Sequence, residues 1–388
     1  MEHRYVGNTG IRASVVGLGA EHLDFKPYPV VEETVHAALD HEIDIMDLFM
    51  PGDEVRTNIG RALKGRRDRM TIQGHIGSID TDGQYDVTRD LGICKRTFES
   101  LLRCLGTDYI DVGMLVFMDS EESYRLVFDT ELIEYALHLK KNGTIRALGA
   151  SSHNPEIALK IIETGLIEVL MFSINPAFDL IPSDTSILDA LGDPAKPEET
   201  PALSSFMGEN LDPMRAELYR RCEQMGVGIT VMKSLGAGKL ISAEHTPFAH
   251  PLTVPQCIHY ALTRPAVASA LVGCASAAQV AEAARYPGLS DAERDYSMAI
   301  KSFKTNFQGS CVYCNHCQPC PANIDIAAVN KYLDIALLDE QNIPPSVQQH
   351  YRSLDAHASD CVFCGNCEKR CPFSVPVQDR MKQAAALF

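Results

Sequence analysis

The sequence lacks an excess of positive charge: 35 Lys and Arg stand against 51 Asp and Glu, a net charge of −16 at pH 7. So acidic a surface repels phosphate backbones and anionic lipid, so neither nucleic acid nor membrane is expected as a partner. No apolar run reaches about 18 residues, the length that spans a bilayer. The start, MEHRYVGNTGIRAS, has no basic stretch followed by an apolar one. No secretion signal is therefore expected, and the expected location is cytoplasmic. Against these absences stand 13 cysteines in 388 residues. In a reducing compartment they point to metal or redox chemistry, not to a disulfide scaffold.

The cysteines are unevenly spread. Cys94, Cys104, Cys222, Cys257 and Cys274 are scattered, as buried small apolar residues would be. CVYCNHCQPCP supplies Cys311, Cys314, Cys317 and Cys320, and CVFCGNCEKRCP supplies Cys361, Cys364, Cys367 and Cys371. The second run fits C-x2-C-x2-C-x3-C-P, the spacing of bacterial two-cluster ferredoxins. In that pattern three thiolates of a run hold one [4Fe–4S] cluster and the fourth reaches the other. Crossed ligation would put Cys311, Cys314, Cys317 and Cys371 on one cluster. Cys361, Cys364, Cys367 and Cys320 would hold the second. A pair of four-cysteine zinc sites is the alternative, but zinc does not need two runs each closed by proline.

Residues 1–300 read differently. Eight β-rich runs alternate with amphipathic helical stretches: VVGLGA, IDIMDLF, MTIQGHIG, YIDVGMLVF, IRALGASS, EVLMFSIN, GITVMKS and ASALVGC. Eight such units predict an α/β fold, a (β/α)8 TIM barrel. YVGNTGIRAS before them predicts a hairpin closing its bottom. Residues 176–210 are too long and polar for a plain connection and predict a lid or substrate loop. Residues 301–388 predict a second, mostly helical domain of bacterial-ferredoxin type. A helix is expected within NIDIAAVNKYLDIALLDEQ, between the two cysteine runs.

Chemistry in such barrels sits where strands end. The ends supply Glu21 and His22, Asp47, His75, Ser151 to Asn154, Asn175 and Lys233. Glu21 and His22 lack an evident third ligand for a metal. Arg56 is expected to be solvated on its helix, and His153 to be a helix-start residue.

YVGNTGIRASVVGLGA, EIDIMDLF, IGRALKG, LGTDYIDVGMLVF, GTIRALGASS and GVGITVMKSLGAGKL follow one another in the order of the aldo-keto reductase family, which the chain resembles from residue 4 to 275. With its cysteine tail it is similar to the ferredoxin-fused branch. The resemblance implies carbonyl reduction by a nicotinamide hydride, with an aspartate, tyrosine, lysine and histidine tetrad. Asp47 matches the aspartate. The tyrosine position offers Pro51 and Gly52, the lysine position is His75, and the histidine position is Val116. The nucleotide contacts are eroded too, with Met171 and Met232 in place of a glutamine and a stacking tyrosine. No basic residue follows the eighth strand before Arg285. Ser151, Ser152, Asn175 and Lys233 remain as candidate cofactor contacts, with NAD(P)H doubtful.

The favoured expectation is an oxidoreductase. A small organic molecule would be reduced in the barrel mouth, with Asp47 and His75 handling protons. Electrons would arrive through two [4Fe–4S] clusters from a ferredoxin-like donor. A nicotinamide-dependent aldo-keto reductase with a degenerate tetrad is one alternative. A non-catalytic electron-transfer or binding protein is another.

Overall fold

Continuous apolar runs make the strands, because a parallel strand is buried on both faces. Ile110–Leu115 and Ile45–Leu48 are buried at every residue. The helices are amphipathic and capped. In Leu91–Leu105 the buried residues Cys94, Phe98, Leu101 and Leu105 recur at helical spacing. Asp90 accepts from the Ile93 amide at its start, and Gly106, at φ 64°, turns the chain out at its end.

The protein is described by a computed structural model covering residues 1–81, 84–192, 201–301 and 309–388. Eight parallel strands close into a barrel. In chain order they are Val16–Gly19, Ile45–Leu48, Thr71–Ile76, Ile110–Leu115, Ile145–Ser152, Val169–Ser173, Gly228–Met232 and Val267–Gly273. Seven lie within the runs expected to form strands, and the eighth starts one residue before its run. Gly19 pairs with Gly273, which joins the first strand to the eighth.

The expected hairpin is present as His3–Tyr5 and Arg12–Ser14. Its Val6 and Ala13 join Ile45, Val112, Ala147 and Ala268 in the barrel core. Gly228 opens the seventh strand against it, where a Cβ would stand 2.4 Å from the Gly7 amide nitrogen. A second hairpin, Ser78–Thr81 with Gln84–Val87, follows the third strand and was not expected. Gly77 makes the turn into it at φ 97°. A side chain there would meet the Thr88 carbonyl at 2.7 Å.

The chain divides into two compact units. One is Met1–Ile174, Val227–Ser234 and Val267–Pro287, which holds every barrel strand. The other is Asn175–Gly226, Leu235–Ala266 and Gly288–Phe388. The division is therefore not a single cut near residue 301. Residues 302–308, where the second domain was expected to begin, lie outside the described residues.

The second unit is helical, with Pro213–Met225, Val254–Leu262, Ile326–Ala336, Pro345–Arg352 and Val377–Leu387 as its longer helices. Ile326–Ala336 is the helix expected between the cysteine runs. Asp325 caps it, and it packs on Val377–Leu387. The stretch expected to form a lid contains the short helical turns Phe178–Leu180, Ile187–Leu191 and Leu203–Ser205. Its residues 193–200 lie outside the described residues. Among the described residues no helix is long and apolar enough to cross a membrane.

Candidate active site and cysteine centres

Asp47 and His75 lie near the C-terminal ends of the adjacent second and third strands. Their side chains meet: His75 Nε2 stands 2.9 Å from Asp47 Oδ1. Both are buried, His75 at 2% and Asp47 at 5% exposure. The Gln73 amide donates to the same Asp47 oxygen at 3.1 Å. With Nε2 beside the carboxylate, Nδ1 is left buried without a hydrogen-bond partner among the described residues. Phe49 presents its ring edge-on to the imidazole, centroids 6.1 Å apart, and screens it from water.

A second pair stands at the ends of the fourth and fifth strands. Asp119 Oδ2 lies 2.8 Å from His153 Nδ1, and Asp119 Oδ1 accepts from the His153 amide at 2.6 Å. Ser152 Oγ is 3.0 Å from the same Oδ1. Burial works to raise the Asp119 pKa, but the His153 and Ser152 hydrogen bonds and the His153 charge prevail and lower it. His153 is thus not the helix-start residue expected. Asn154 does that work, its Oδ1 accepting from the Glu156 and Ile157 amides.

Lys233 ends the seventh strand in the left-handed region at φ 58°. A non-glycine residue there costs about 1–3 kcal/mol and is a common sign of a working position. Burial lowers its pKa, while the charges of Glu21, Asp119 and Asp47 oppose that. The ammonium therefore stands among the ends of three strands.

Tyr85, carried by the second hairpin, packs edge-on against Phe49 at 5.1 Å. Burial, with the charges of Asp47 and Asp119, raises its pKa against the pull of Arg89. It is a neutral hydroxyl at pH 7, beside a dyad whose family tyrosine is missing. The sequence reading missed Tyr85, although Asp82–Gly83 between two β-prone runs is a strong hairpin signal.

The remaining candidates fall elsewhere. Ser151 is buried in the fifth strand, in register with Met171. Asn175 belongs to the second unit, where its Oδ1 accepts from the amides of Ala177 and Phe178 and shapes a turn. Glu21 and His22 pair with each other at 3.3 Å on the surface. Arg56 is not solvated. It is 1% exposed and donates to the carbonyls of Met50 and Thr97, and burial lowers its pKa to about 10. It straps a loop to a helix. After the eighth strand the Ala275 amide already donates to Gln279, and Arg285 already pairs with Glu282.

The cysteine runs surround two hollows in the second unit. Cys311, Cys314, Cys317 and Cys371 line one. Cys320, Cys361, Cys364 and Cys367 line the other, and Cys317 lines it too. The fourth cysteine of each run thus faces the other run's hollow. The two loops repeat one backbone. Tyr313 and Asn315 are left-handed in the first, Phe363 and Gly365 in the second. Such alternation turns successive amides to one side and makes an anion-binding nest. The Phe363 amide donates to Cys361 Sγ at 3.4 Å, and the Tyr313 amide does the same to Cys311. Among the described residues no three His, Cys, Asp or Glu converge as a single metal ion would require. The cysteines ring a space instead. Of the scattered five, Cys94, Cys222, Cys257 and Cys274 are buried and Cys104 is half-buried.

Residues 15–178 match the aldo/keto reductase family. Aldo-keto reductase YhdN of Bacillus subtilis is 27% identical over 192 residues, 46% of this chain and 54% of its own length. The uncharacterized oxidoreductase YqkF of the same organism is 26% identical over 191 residues, 47% of this chain and 59% of its own length. The match thus spans little more than half of these relatives. Aldo-keto reductase AKR11C1 from Bacillus halodurans, in its holo form, shares the fold at a TM-score of 0.57 and 21% identity, covering 79% of this chain and 97% of its own. An aldo-keto reductase from Pseudomonas aeruginosa does so at 0.54 and 21%, covering 74% and 95%. The chain thus shares the fold of these aldo-keto reductases, and its residues 15–178 match that family's model.

Proposed function

We propose that this protein is an iron–sulfur oxidoreductase that reduces a small organic substrate in the mouth of its aldo-keto-reductase barrel. The observation that carries this reading is that the eight cysteines of the two runs line two hollows, with Cys317 lining both. Cys311, Cys314, Cys317 and Cys371 would hold one [4Fe–4S] cluster, and Cys320, Cys361, Cys364 and Cys367 the other. The residues fit such a group: four thiols ring each space, and backbone amides point at sulfur, as cluster ligands require. Burial holds the thiols of Cys311 and Cys314 up to about 12, so they need a cationic partner to ionise. When bound, the clusters supply single electrons and no protons. A ferredoxin-like donor would meet the second hollow, beside which Val362 and Phe363 stand 65% and 47% exposed.

Protons would then come from the barrel. Asp47 fixes the His75 ring through Nε2. His75 Nδ1 exchanges the proton with the substrate. Phe49 keeps bulk water off the pair, and Lys233 offers a positive charge to an oxygen that becomes negative as electrons arrive. The test is metal content and turnover together. Anaerobic protein should carry about eight irons with acid-labile sulfide. His75→Ala should keep that iron and lose about 10²–10⁴ in viologen-driven turnover, the usual contribution of an acid–base group. Stoichiometric zinc without sulfide would remove the reading.

A second reading keeps a nicotinamide as hydride donor, and the retained Lys233 and Ser151 favour it. Against it, Gln279 and Glu282 already hold the donors where the 2′-phosphate would bind. Loss of two charge-assisted contacts weakens binding by about a hundredfold or more. Calorimetry separates the readings: submicromolar NADPH affinity would favour the second.

A further inference from the structure

We infer that Arg264 is a buried cation that makes the cluster held by Cys311, Cys314, Cys317 and Cys371 the easier of the two to reduce. The inference rests on the iron–sulfur reading above. Arg264 is 4% exposed. Its guanidinium donates to the carbonyl of Val312, the residue after Cys311, at 2.5 Å. The Tyr296 hydroxyl donates to that carbonyl at 2.8 Å. Tyr260 and Tyr313 flank the guanidinium, ring centroids 4.4 and 5.0 Å from its central carbon. Arg264 and Cys311 also line one cavity of about 390 Å³. The charge is thus fixed to the cysteine loop itself.

Among the described residues no carboxylate hydrogen-bonds to it. Its hydrogen bonds run to Thr263, Tyr296 and Val312, all neutral, and its Nε has no partner. Asp179 is the carboxylate that acts on it, and Asp179 also answers Arg215, 3.7 Å away. Tyr219 and Tyr260 donate to Asp179 as well. Asp179 therefore divides its charge between two buried arginines. Burying an uncompensated cation is costly unless a negative charge is near. Four thiolates on a cluster supply that charge, and each electron taken up adds one more. A fixed cation favours the state with the extra electron, so it raises the reduction potential. No such buried cation stands at the second hollow among the described residues. Arg370 there is exposed, donating to the carbonyls of Cys317 and Pro319.

The experiment is an anaerobic redox titration of the full chain, reduced with dithionite and followed by EPR. Cys364→Ser marks the signal of the second cluster. In the wild-type protein the cluster not marked by Cys364→Ser should be reduced first. Arg264→Met should shift its reduction equilibrium at least tenfold against the electron, about 59 mV for a one-electron couple, and leave the other cluster in place. Arg264→Lys, which keeps the charge, should restore most of the shift. Unchanged potentials in a fully loaded Arg264→Met protein would make Arg264 a structural strap only and overturn the inference. If Arg264→Met fails to load, the wild-type order decides: first reduction of the cluster marked by Cys364→Ser overturns the inference. Absence of iron and sulfide from the wild-type protein would instead overturn the iron–sulfur reading beneath it.

Discussion

The two cysteine loops, CVYC and CVFC, share three of four residues and one backbone, yet they live in different surroundings. Val312 and Tyr313 are 3% and 8% exposed, while Val362 and Phe363 are 65% and 47% exposed. The one sequence difference explains part of this. The Tyr313 hydroxyl donates to Asp334 at 2.7 Å, and its ring lies under Arg264. Phe363 has no hydroxyl to anchor, and Lys382 reaches its ring only at 5.7 Å. A repeated ligand frame has thus been given a buried half and an open half. In an electron-transfer protein the open half is suited to receive and the buried half to pass on.

The largest expected effect separates the halves by metal content. Cys364 is exposed and Cys314 is buried. Cys364→Ser should keep about four of eight irons and a near-normal thermal midpoint. Cys314→Ser should lose as many irons and also several degrees of midpoint, because it empties a site inside the helical unit. In air or with a chelator, the wild-type protein should lose the EPR signal of the second cluster first. Equal loss rates would show that the exposure difference does not govern access.

The intermediate effect is on stability. Tyr313→Phe removes a buried hydroxyl from a carboxylate, an interaction of about 1.5–3 kcal/mol. Phe363→Ala removes an exposed ring and should cost less than about 1 kcal/mol. Urea unfolding of the two variants tests the contrast. Equal midpoints would mean that the Tyr313–Asp334 bond does not anchor the first loop.

Local pattern made the architecture legible. Each barrel strand is a short, largely buried run between helical stretches, and the cysteine spacing shows which residues line the two hollows. Asp47 and His75 could be paired because they end adjacent strands. Asp119 and His153 follow the ends of adjacent strands as well, but the resemblance marks Val116, and Asp119 lies three residues beyond it. Tyr85 sits on Gln84–Val87, a strand whose pairing with Ser78–Thr81 the sequence reading did not expect. Arg56 and Arg264 gave no local sign. A buried arginine reads like a surface one until the carbonyls that receive it are placed, and those lie 41 and 48 residues away at Thr97 and Val312.

The smallest expected effect concerns how electrons enter. If the open half receives them, the side chains beside its hollow meet the donor and those of the buried half do not. Val362→Ser and Phe363→Ser remove apolar contact from residues already in water, so neither should change iron content or stability. Each should slow reduction by a dithionite-reduced bacterial two-cluster ferredoxin by about two- to fivefold, because single contacts at an exposed interface change association only modestly. Reduction by dithionite alone should be unaffected, since a small anion needs no docking surface. Val312→Ala, at the matching position of the buried loop, should do the reverse. It should cost stability, having deleted methyl groups from a packed site, and leave the ferredoxin rate per loaded cluster unchanged. Stopped-flow bleaching of the cluster absorbance reads all three variants. A slower ferredoxin rate in Val312→Ala, with none in the Val362 and Phe363 variants, would place electron entry at the buried half and reverse the assignment.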